Sequence, residues 1–250
     1  MTAAIAAIAF WPGLAVGSFL NVVAARLPLR RSLVSPGSAC MSCETPIAWY
    51  DNVPLLSYAL LRGRCRSCRA TIPWKYPAVE VATAVLVSAC FLRFGLSGEA
   101  LVGALFCCAL VAITVTDFER RTIPNRIVLP CAAVVLAVNT ALRPSPEWAI
   151  AGFGAALFLF LAALAYPGGM GMGDVKLALL LGAALGRTVP VALMTGMVAA
   201  LVPSFVILAR HGRKGRKMRI AFGPFLALGG VVALFAGGAL LDSYLHLFGS

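Results

Sequence analysis

The sequence predicts an all-α polytopic membrane protein with about eight transmembrane helices and one long polar loop after the first. Of its 250 residues, 61% are hydrophobic and 12% are charged, whereas soluble domains are about 45–50% apolar and about 25% charged. Apolar runs of about 17–25 residues, the length that crosses a bilayer as a helix, recur along the chain. Alternating segments of about ten residues, which a transmembrane barrel requires, are absent.

Polar breaks between the apolar runs divide the chain into three expected parts. Residues 1–25 form the first transmembrane helix, 26–75 a loop domain, and 76–250 a membrane domain of seven helices. The sixth span is short, and Arg187 and Pro190 separate it from the seventh. The spans are predicted at 3–25, 76–94, 98–116, 126–142, 147–166, 175–187, 189–209 and 221–241.

The N-terminal span is expected to be retained rather than cleaved. Its first basic residue is Arg26, whereas a cleavable signal peptide begins with a positively charged region. Gly13 and Gly17 lie four residues apart in this span, a spacing that places small residues on one face of a membrane helix. Such a face allows another helix to pack closely.

The net charge of +12 is distributed unevenly along the chain. Eight Lys or Arg residues lie in 26–75, three in 119–126 and six in 210–219. Lys176 belongs to the same predicted side of the membrane, whereas only Arg93, Arg143 and Arg187 lie on the other. Because basic residues accumulate on the cytoplasmic side, both termini are predicted to be periplasmic. Every basic cluster lies at a membrane edge, which favours anionic lipid over nucleic acid as its partner.

The polar segment 26–75 contains two Cys-x-x-Cys pairs, Cys40 with Cys43 and Cys65 with Cys68, separated by 21 residues. This spacing is typical of a structural zinc site of four thiolates. Such a metal holds together a segment too small to fold on its own core. The alternatives are two disulfides or four free thiols, and the reducing cytoplasm argues against disulfides. We expect the arginines at 64, 66 and 69 to offset the negative charge of the thiolates.

Two acidic residues, Asp117 and Asp174, lie at junctions between apolar spans and the predicted cytoplasmic side. A carboxylate at membrane depth costs about 2.5–3.5 kcal/mol, so each requires compensation. Asp174 alone is explained as the N-cap of the sixth span. Asp117 alone is explained by an ion pair with Arg120 or Arg121.

The shared membrane side of Asp117 and Asp174 favours a joint role. Two adjacent carboxylates do not both ionise easily and hold one proton between them. This state suits an aspartyl protease, in which one carboxylate takes a proton from water and the other protonates the scissile carbonyl. Gly171 and Gly173 are expected to allow a non-helical backbone to approach the substrate.

Five motifs in order resemble the type IV prepilin peptidase family, and together they extend along nearly the whole chain. They are GSFLNVVAARLP (17–28), the cysteine loop from CMSC through WYDNVPLLSYALLRGRCRSC to IPWKYPAVE, TDFERRTIPN (116–125), GMGDVKL (171–177) and AFGPFLALG (221–229). Members of this family are leader peptidases of bacterial inner membranes, and many are also N-methyltransferases.

The resemblance implies that Asp117 and Asp174 are the catalytic pair and that the four cysteines bind zinc. The implied substrates are prepilins and pseudopilins of type IV pili or type II secretion. Cleavage is expected at the cytoplasmic face, and S-adenosylmethionine is the implied methyl donor. Glu80 also matches a family motif and either pairs with a loop arginine or supports the active site. Lys176 either tunes Asp174 or extends to the membrane surface.

Two other function classes are compatible with part of the sequence. A proton-coupled transporter also uses buried carboxylates, but such transporters more often show acidic residues near mid-span and an internal repeat. A non-catalytic assembly protein would use the cysteine loop for docking, and both aspartates would then be dispensable.

Overall fold

The structure is a computed structural model that describes residues 2–166, 170–212 and 220–248. Within these ranges there are nine α-helices and no β-strand, which confirms the predicted all-helical membrane fold. Residues 213–219, most of the last predicted basic cluster, lie outside the described ranges. The helices are α1 (Thr2–Arg26), α2 (Leu56–Leu60), α3 (Lys75–Phe94), α4 (Gly98–Arg120), α5 (Asn125–Leu142), α6 (Glu147–Ala165), α7 (Met172–Leu185), α8 (Val189–His211) and α9 (Gly223–Phe248).

The chain forms two compact units, Met1–Ala112 and Ile113–Ser250, and the boundary lies within α4. The predicted division at residues 25 and 75 follows sequence polarity and stays a prediction.

In the first unit, α1 packs along α3 through the two glycines that the sequence placed on one face. A methyl group on Gly13 would lie 2.7 Å from Ala84 Cα, and one on Gly17 would lie 2.6 Å from Glu80 Cα. These distances are too short for any side chain, so the two backbones are in direct contact. Helices in lipid associate through such close packing because no hydrophobic difference separates them from the lipid.

In the second unit, α7 and α8 form a hairpin. A side chain on Gly173, near the start of α7, and one on Gly223, at the start of α9, would both meet Ile123. At the turn between α7 and α8, a methyl group on Gly237 of α9 would lie 3.0 Å from Thr188 Cβ. Helix α8 therefore begins beside the second half of α9 and runs antiparallel to it, toward the start of α9.

In the described ranges, seven helical segments are long and apolar enough to cross a membrane, although eight spans were predicted. The hairpin of α7 and α8 explains this difference. The sixth segment, Met172–His211, has 40 residues and contains both α7 and α8. At 1.5 Å per residue it would extend about 60 Å, twice the hydrocarbon thickness of about 30 Å. Gly186, with a φ of 56°, reverses the chain between the two helices.

Candidate active site and metal site

Asp117 lies in the last turn of α4, which continues past the predicted end of its span to Arg120. Its side chain is only 5% exposed. Its Oδ2 accepts a hydrogen bond of 3.0 Å from the backbone N–H of Gly223. The first N–H groups of a helix have no partner within it and carry partial positive charge. The start of α9 thus stabilises the carboxylate, where the sequence had suggested an arginine.

Asp174 lies in the first turn of α7, and its side chain is 8% exposed. The expectation that it is the N-cap is wrong, because Gly171 occupies that position and Asp174 is the third helical residue. Its Oδ2 accepts a hydrogen bond of 3.2 Å from the Gly171 N–H. Its own N–H donates to Gly171 O at 3.1 Å. This reciprocal pair satisfies two backbone groups at the helix start.

Ile123 brings the surroundings of the two carboxylates together. A methyl group on Gly173, next to Asp174, would lie 2.9 Å from Ile123 Cβ. One on Gly223, the hydrogen-bond partner of Asp117, would lie 3.2 Å from Ile123 Cδ1. The two carboxylates, from motifs far apart in sequence, therefore belong to one site.

The glycines around Asp174 act differently from the expectation of a non-helical backbone. Gly171 is extended, with φ −84° and ψ 146°, but Gly173 is helical. The absent side chain at Gly173 makes room for Ile123. Lys176 does not bind Asp174 in this arrangement, because its Nζ donates to Asn125 Oδ1 at 2.9 Å. It connects the start of α7 to the start of α5.

The four predicted metal ligands form one cluster in the loop between α1 and α3. The sulfur atoms of Cys40, Cys43, Cys65 and Cys68 all lie within 4.8 Å of one another, and the group can hold a metal ion. The sulfurs of Cys40 and Cys68 are 3.8 Å apart. No other group of three or more potential ligands occurs in the described part of the chain.

The two cysteine segments, 38–47 and 63–72, share a backbone pattern. In each, the first cysteine N–H bonds to the carbonyl five residues later, Thr45 or Ala70. The residue after the second cysteine has positive φ and donates back to the first cysteine. Each segment ends with an isoleucine N–H that reaches back to its first residue. The loop therefore contains a short structural repeat.

Hydrogen bonds within this repeat favour the thiolate form of three ligands. The backbone N–H groups of Cys43 and Ser42 lower the pKa of Cys40. The Thr45 side chain and backbone lower the pKa of Cys43. The backbone N–H of Cys68 does the same for the pKa of Cys65. Such groups suit a cation, because the thiolate is the ligand.

Cys68 differs from the other three ligands. The Ala70 backbone lowers the pKa of this thiol, but the neighbouring thiols and partial burial outweigh that effect and raise it to about 11. Without a metal, the fourth ligand is therefore protonated at neutral pH.

Two loop contacts differ from the sequence expectations. Arg66 was expected to offset the charge of the thiolates, but its guanidinium forms a two-point ion pair with Asp51, with N–O distances of 2.6 and 2.7 Å. This contact holds the pKa of Asp51 below its usual range. Glu80 binds the loop through the backbone N–H of Leu55, at 2.8 Å, rather than through an arginine.

Sequence reasoning missed Ile123, Gly223 and Leu55. Ile123 and Gly223 lie within motifs that were recognised, TDFERRTIPN and AFGPFLALG, so their position was a signal that could have been used. Leu55 contributes only a backbone donor, which residue identity does not encode.

Comparisons with known proteins cover both parts of the chain. The model of the bacterial peptidase A24 N-terminal domain matches residues 12–94. The model of the type IV leader peptidase family matches residues 104–209, which include both aspartates.

Curated relatives match over nearly the full length. A prepilin leader peptidase/N-methyltransferase of Bacillus subtilis is 34% identical and the alignment covers 96% of this chain and 98% of that protein. Proteins of the same name from Burkholderia pseudomallei and Pseudomonas putida are 36% and 35% identical. These alignments cover 90% and 95% of this chain, and 83% and 92% of the relatives. No solved structure matches the chain.

Proposed function

The chain belongs to the type IV leader peptidase family, and from this premise we propose that it removes the leader peptides of type IV prepilins and then methylates the new N-terminus. The observation that carries the proposal is the shared environment of Asp117 and Asp174. Both carboxylates are nearly buried, each accepts one backbone N–H, and both border the Ile123 side chain through adjacent glycines.

The proposed peptidase step is general acid–base catalysis by the two aspartates. One carboxylate takes a proton from water as the water oxygen adds to the scissile carbonyl carbon. The other, in its protonated form, gives its proton to the carbonyl oxygen. The carbon–nitrogen bond then breaks as the first carboxyl group gives the proton it took from water to the leaving amine, and the second carboxylate regains a proton from a hydroxyl of the gem-diol, which becomes the new carboxyl group. The Gly223 and Gly171 N–H groups each hold one oxygen of a carboxylate, which leaves the second oxygen for the water or the substrate.

The proposed location is the bacterial inner membrane, with the loop and the aspartates on the cytoplasmic side and both termini periplasmic. The unequal distribution of Lys and Arg supports this orientation. Prepilins and pseudopilins are the proposed substrates, and membrane lipids, rather than nucleic acid, surround the basic clusters.

Zinc is the metal we assign to the four cysteines. A tetrahedral zinc with bonds of about 2.3 Å to sulfur requires sulfurs about 3.8 Å apart, and Cys40 and Cys68 have this separation. Four thiolates fill the coordination of zinc and leave no open position, so the ion would be structural. Bound zinc would supply the cross-link between the two cysteine segments.

S-adenosylmethionine is the proposed methyl donor. This assignment rests on the N-methyltransferase named in the curated relatives. Glu80, Lys176, Gly171 and Gly173 are proposed as supports: Glu80 for the cysteine loop, and the other three for the start of α7.

The test is processing of a purified prepilin by the full-length protein and by Asp117→Asn and Asp174→Asn variants. Each variant removes a charge with almost no change in shape, and we expect cleavage to fall by at least about a thousandfold. Asp242→Asn, the same exchange near the end of α9, is the matched control and should cleave normally. Normal cleavage by the Asp117→Asn or the Asp174→Asn variant would contradict the peptidase assignment.

Two further measurements separate the remaining parts of the proposal. Mass spectrometry of the product, with and without S-adenosylmethionine, should show the added methyl group only when the donor is present. Metal analysis should find zinc in the wild-type protein. An unmethylated product in both reactions would contradict the methyltransferase assignment and would leave the peptidase assignment unchanged.

A further inference from the structure

Helix α2 has its polar and apolar sides reversed relative to a helix of a soluble domain. Ser57 is its one buried residue, 7% exposed, and its hydroxyl donates to Tyr50 O at 2.9 Å. Leu56 and Leu60 are 54% and 75% exposed. Residues four apart lie on the same face of a helix, so the two leucines form one exposed apolar face. Soluble helices bury such a face.

The position of this face along α3 is set by one hydrogen bond. Leu55, the residue before α2, donates its N–H to Glu80 Oε2 at 2.8 Å. Glu80 is five residues beyond Lys75, the first residue of α3, which corresponds to about 8 Å along the helix axis. Trp74, directly before α3, is 76% exposed, as is typical of an aromatic residue at a membrane interface. Leu55 is therefore held beside the first two turns of α3, close to the interface level that Trp74 marks.

The segment that contains α2 has little charge of its own to keep it in water. Between Trp49 and Leu61 the single charged residue is Asp51, and Arg66 neutralises it with two hydrogen bonds. The backbone of Leu55 has a φ of 61°, a conformation that a branched side chain adopts only when its surroundings impose it. The Glu80 contact is such a constraint.

The charge around α2 matches an anionic membrane surface. Residues 26–75 contain eight Lys or Arg and two acidic residues, Glu44 and Asp51. Arg62 and Arg64 follow α2 directly, and both are exposed. Basic residues next to an apolar face lying in the interface are attracted to anionic headgroups.

We propose that α2 is an interfacial anchor, which inserts Leu56 and Leu60 into the bilayer beside α3 while Arg62 and Arg64 contact anionic lipid headgroups. The anchor holds the cysteine loop against the membrane at a fixed height. It depends only on the membrane-spanning fold, so it stands or falls independently of the peptidase assignment.

The experiment places the photoreactive residue benzoylphenylalanine at position 60 of the full-length protein. The protein is reconstituted in phosphatidylcholine vesicles with or without phosphatidylglycerol, irradiated, and analysed by mass spectrometry of its peptides. The matched control has the same residue at Val34, an apolar side chain in the same loop that is 89% exposed. Zinc content shows that the loop remains folded in both proteins.

We expect lipid adducts at position 60, several-fold more than at position 34, and a higher yield when phosphatidylglycerol is present. Equal yields at the two positions, or adducts at 60 only with a second copy of the chain, would overturn the anchor. An equal yield without phosphatidylglycerol would remove the anionic-lipid part of the proposal.

Discussion

Ile123 packs against both sides of the proposed catalytic pair. It fills the space left by two glycines, Gly173 beside Asp174 and Gly223 beside Asp117. Neither glycine has positive φ, so neither is required by backbone conformation. Both are required because a side chain at either position would displace Ile123 or the Asp117 carboxylate.

Gly173→Ala is therefore expected to reduce cleavage. The added methyl group would lie 2.9 Å from Ile123 Cβ, and overpacking of this kind costs about 1–3 kcal/mol. The gain in helix propensity from Gly to Ala, about 1 kcal/mol, acts in the opposite direction. We expect the overpacking to dominate and kcat for prepilin cleavage to fall about tenfold.

Gly154→Ala is the control for this substitution, because nothing lies within 4 Å of the added group at that helical position. It should cleave at the wild-type rate. Combining Gly173→Ala with Ile123→Gly, which removes the Cβ that the added methyl group meets, should restore part of the activity. A double variant no better than Gly173→Ala would show that Ile123 is not the source of the effect.

Lys176 illustrates a weaker contact of the same region. Its hydrogen bond to Asn125 is exposed, and exposed charged contacts contribute about 0–1 kcal/mol. Lys176→Met should therefore lower the melting temperature by only a few degrees and leave cleavage measurable. Thermal unfolding together with a cleavage assay tests this. Complete loss of cleavage at unchanged melting temperature would assign Lys176 a role in the reaction.

At the scale of elements, the contact between α1 and α3 depends on glycine at position 17. A side chain there would meet the backbone of Glu80 rather than a flexible side chain, so the helices would have to separate. Gly17→Ala is expected to destabilise the first unit by about 1–3 kcal/mol. Gly238→Ala, where nothing lies within 4 Å, is the matched control in thermal unfolding. Equal melting temperatures for the two variants would contradict direct backbone packing.

The paired cysteine segments lead to a prediction about pH. The pKa of Cys68 is raised to about 11, so metal binding at neutral pH must displace its proton. For each proton that metal binding releases, the apparent affinity for the metal increases about tenfold when the pH rises by one unit. Affinity for zinc should therefore rise with pH from about 6 to about 8 and fall on acidification. Competition with a chelator measures it.

Cys65→Ser and Cys131→Ser form the matched pair for the same experiment. The first removes a ligand and should release the metal, whereas the second changes a cysteine in α5 and should retain it. Affinity that does not vary with pH would indicate that thiolates are not the ligands.

Most helices could be predicted from the sequence because apolar length and flanking basic residues define a span physically. The largest difference is at the end of α9, which continues to Phe248 although its span was predicted to end at residue 241. Smaller differences occurred where a polar group is stabilised by backbone: α4 continues beyond Asp117, and α7 begins at Met172 before Asp174. Ile123 and Gly223 were missed although they lie within the quoted motifs, whereas the two aspartates and Glu80 were identified. Their contacts were not, because the donors to Asp117, Asp174 and Glu80 are all backbone N–H groups, and any residue other than proline supplies one.

At the scale of the whole molecule, the number of membrane crossings decides the orientation of the termini. If α7 and α8 each cross, as their hairpin indicates, the chain crosses eight times. An even number places the N-terminus and the C-terminus on the same side. If the 40-residue segment Met172–His211 crossed only once, the termini would lie on opposite sides.

We therefore predict that both termini are periplasmic and that the loop 26–75 is cytoplasmic. Alkaline phosphatase is active only after export, so its fusion after Ser250 should be active and the corresponding green fluorescent protein fusion should be dark. An epitope inserted at Gly37, where an added Cβ would meet no atom within 4 Å, should be accessible only from the cytoplasmic side. A C-terminus on the same side as this epitope would mean that the α7–α8 hairpin does not complete both crossings, and the proposed position of Asp174 at the cytoplasmic face would fall with it.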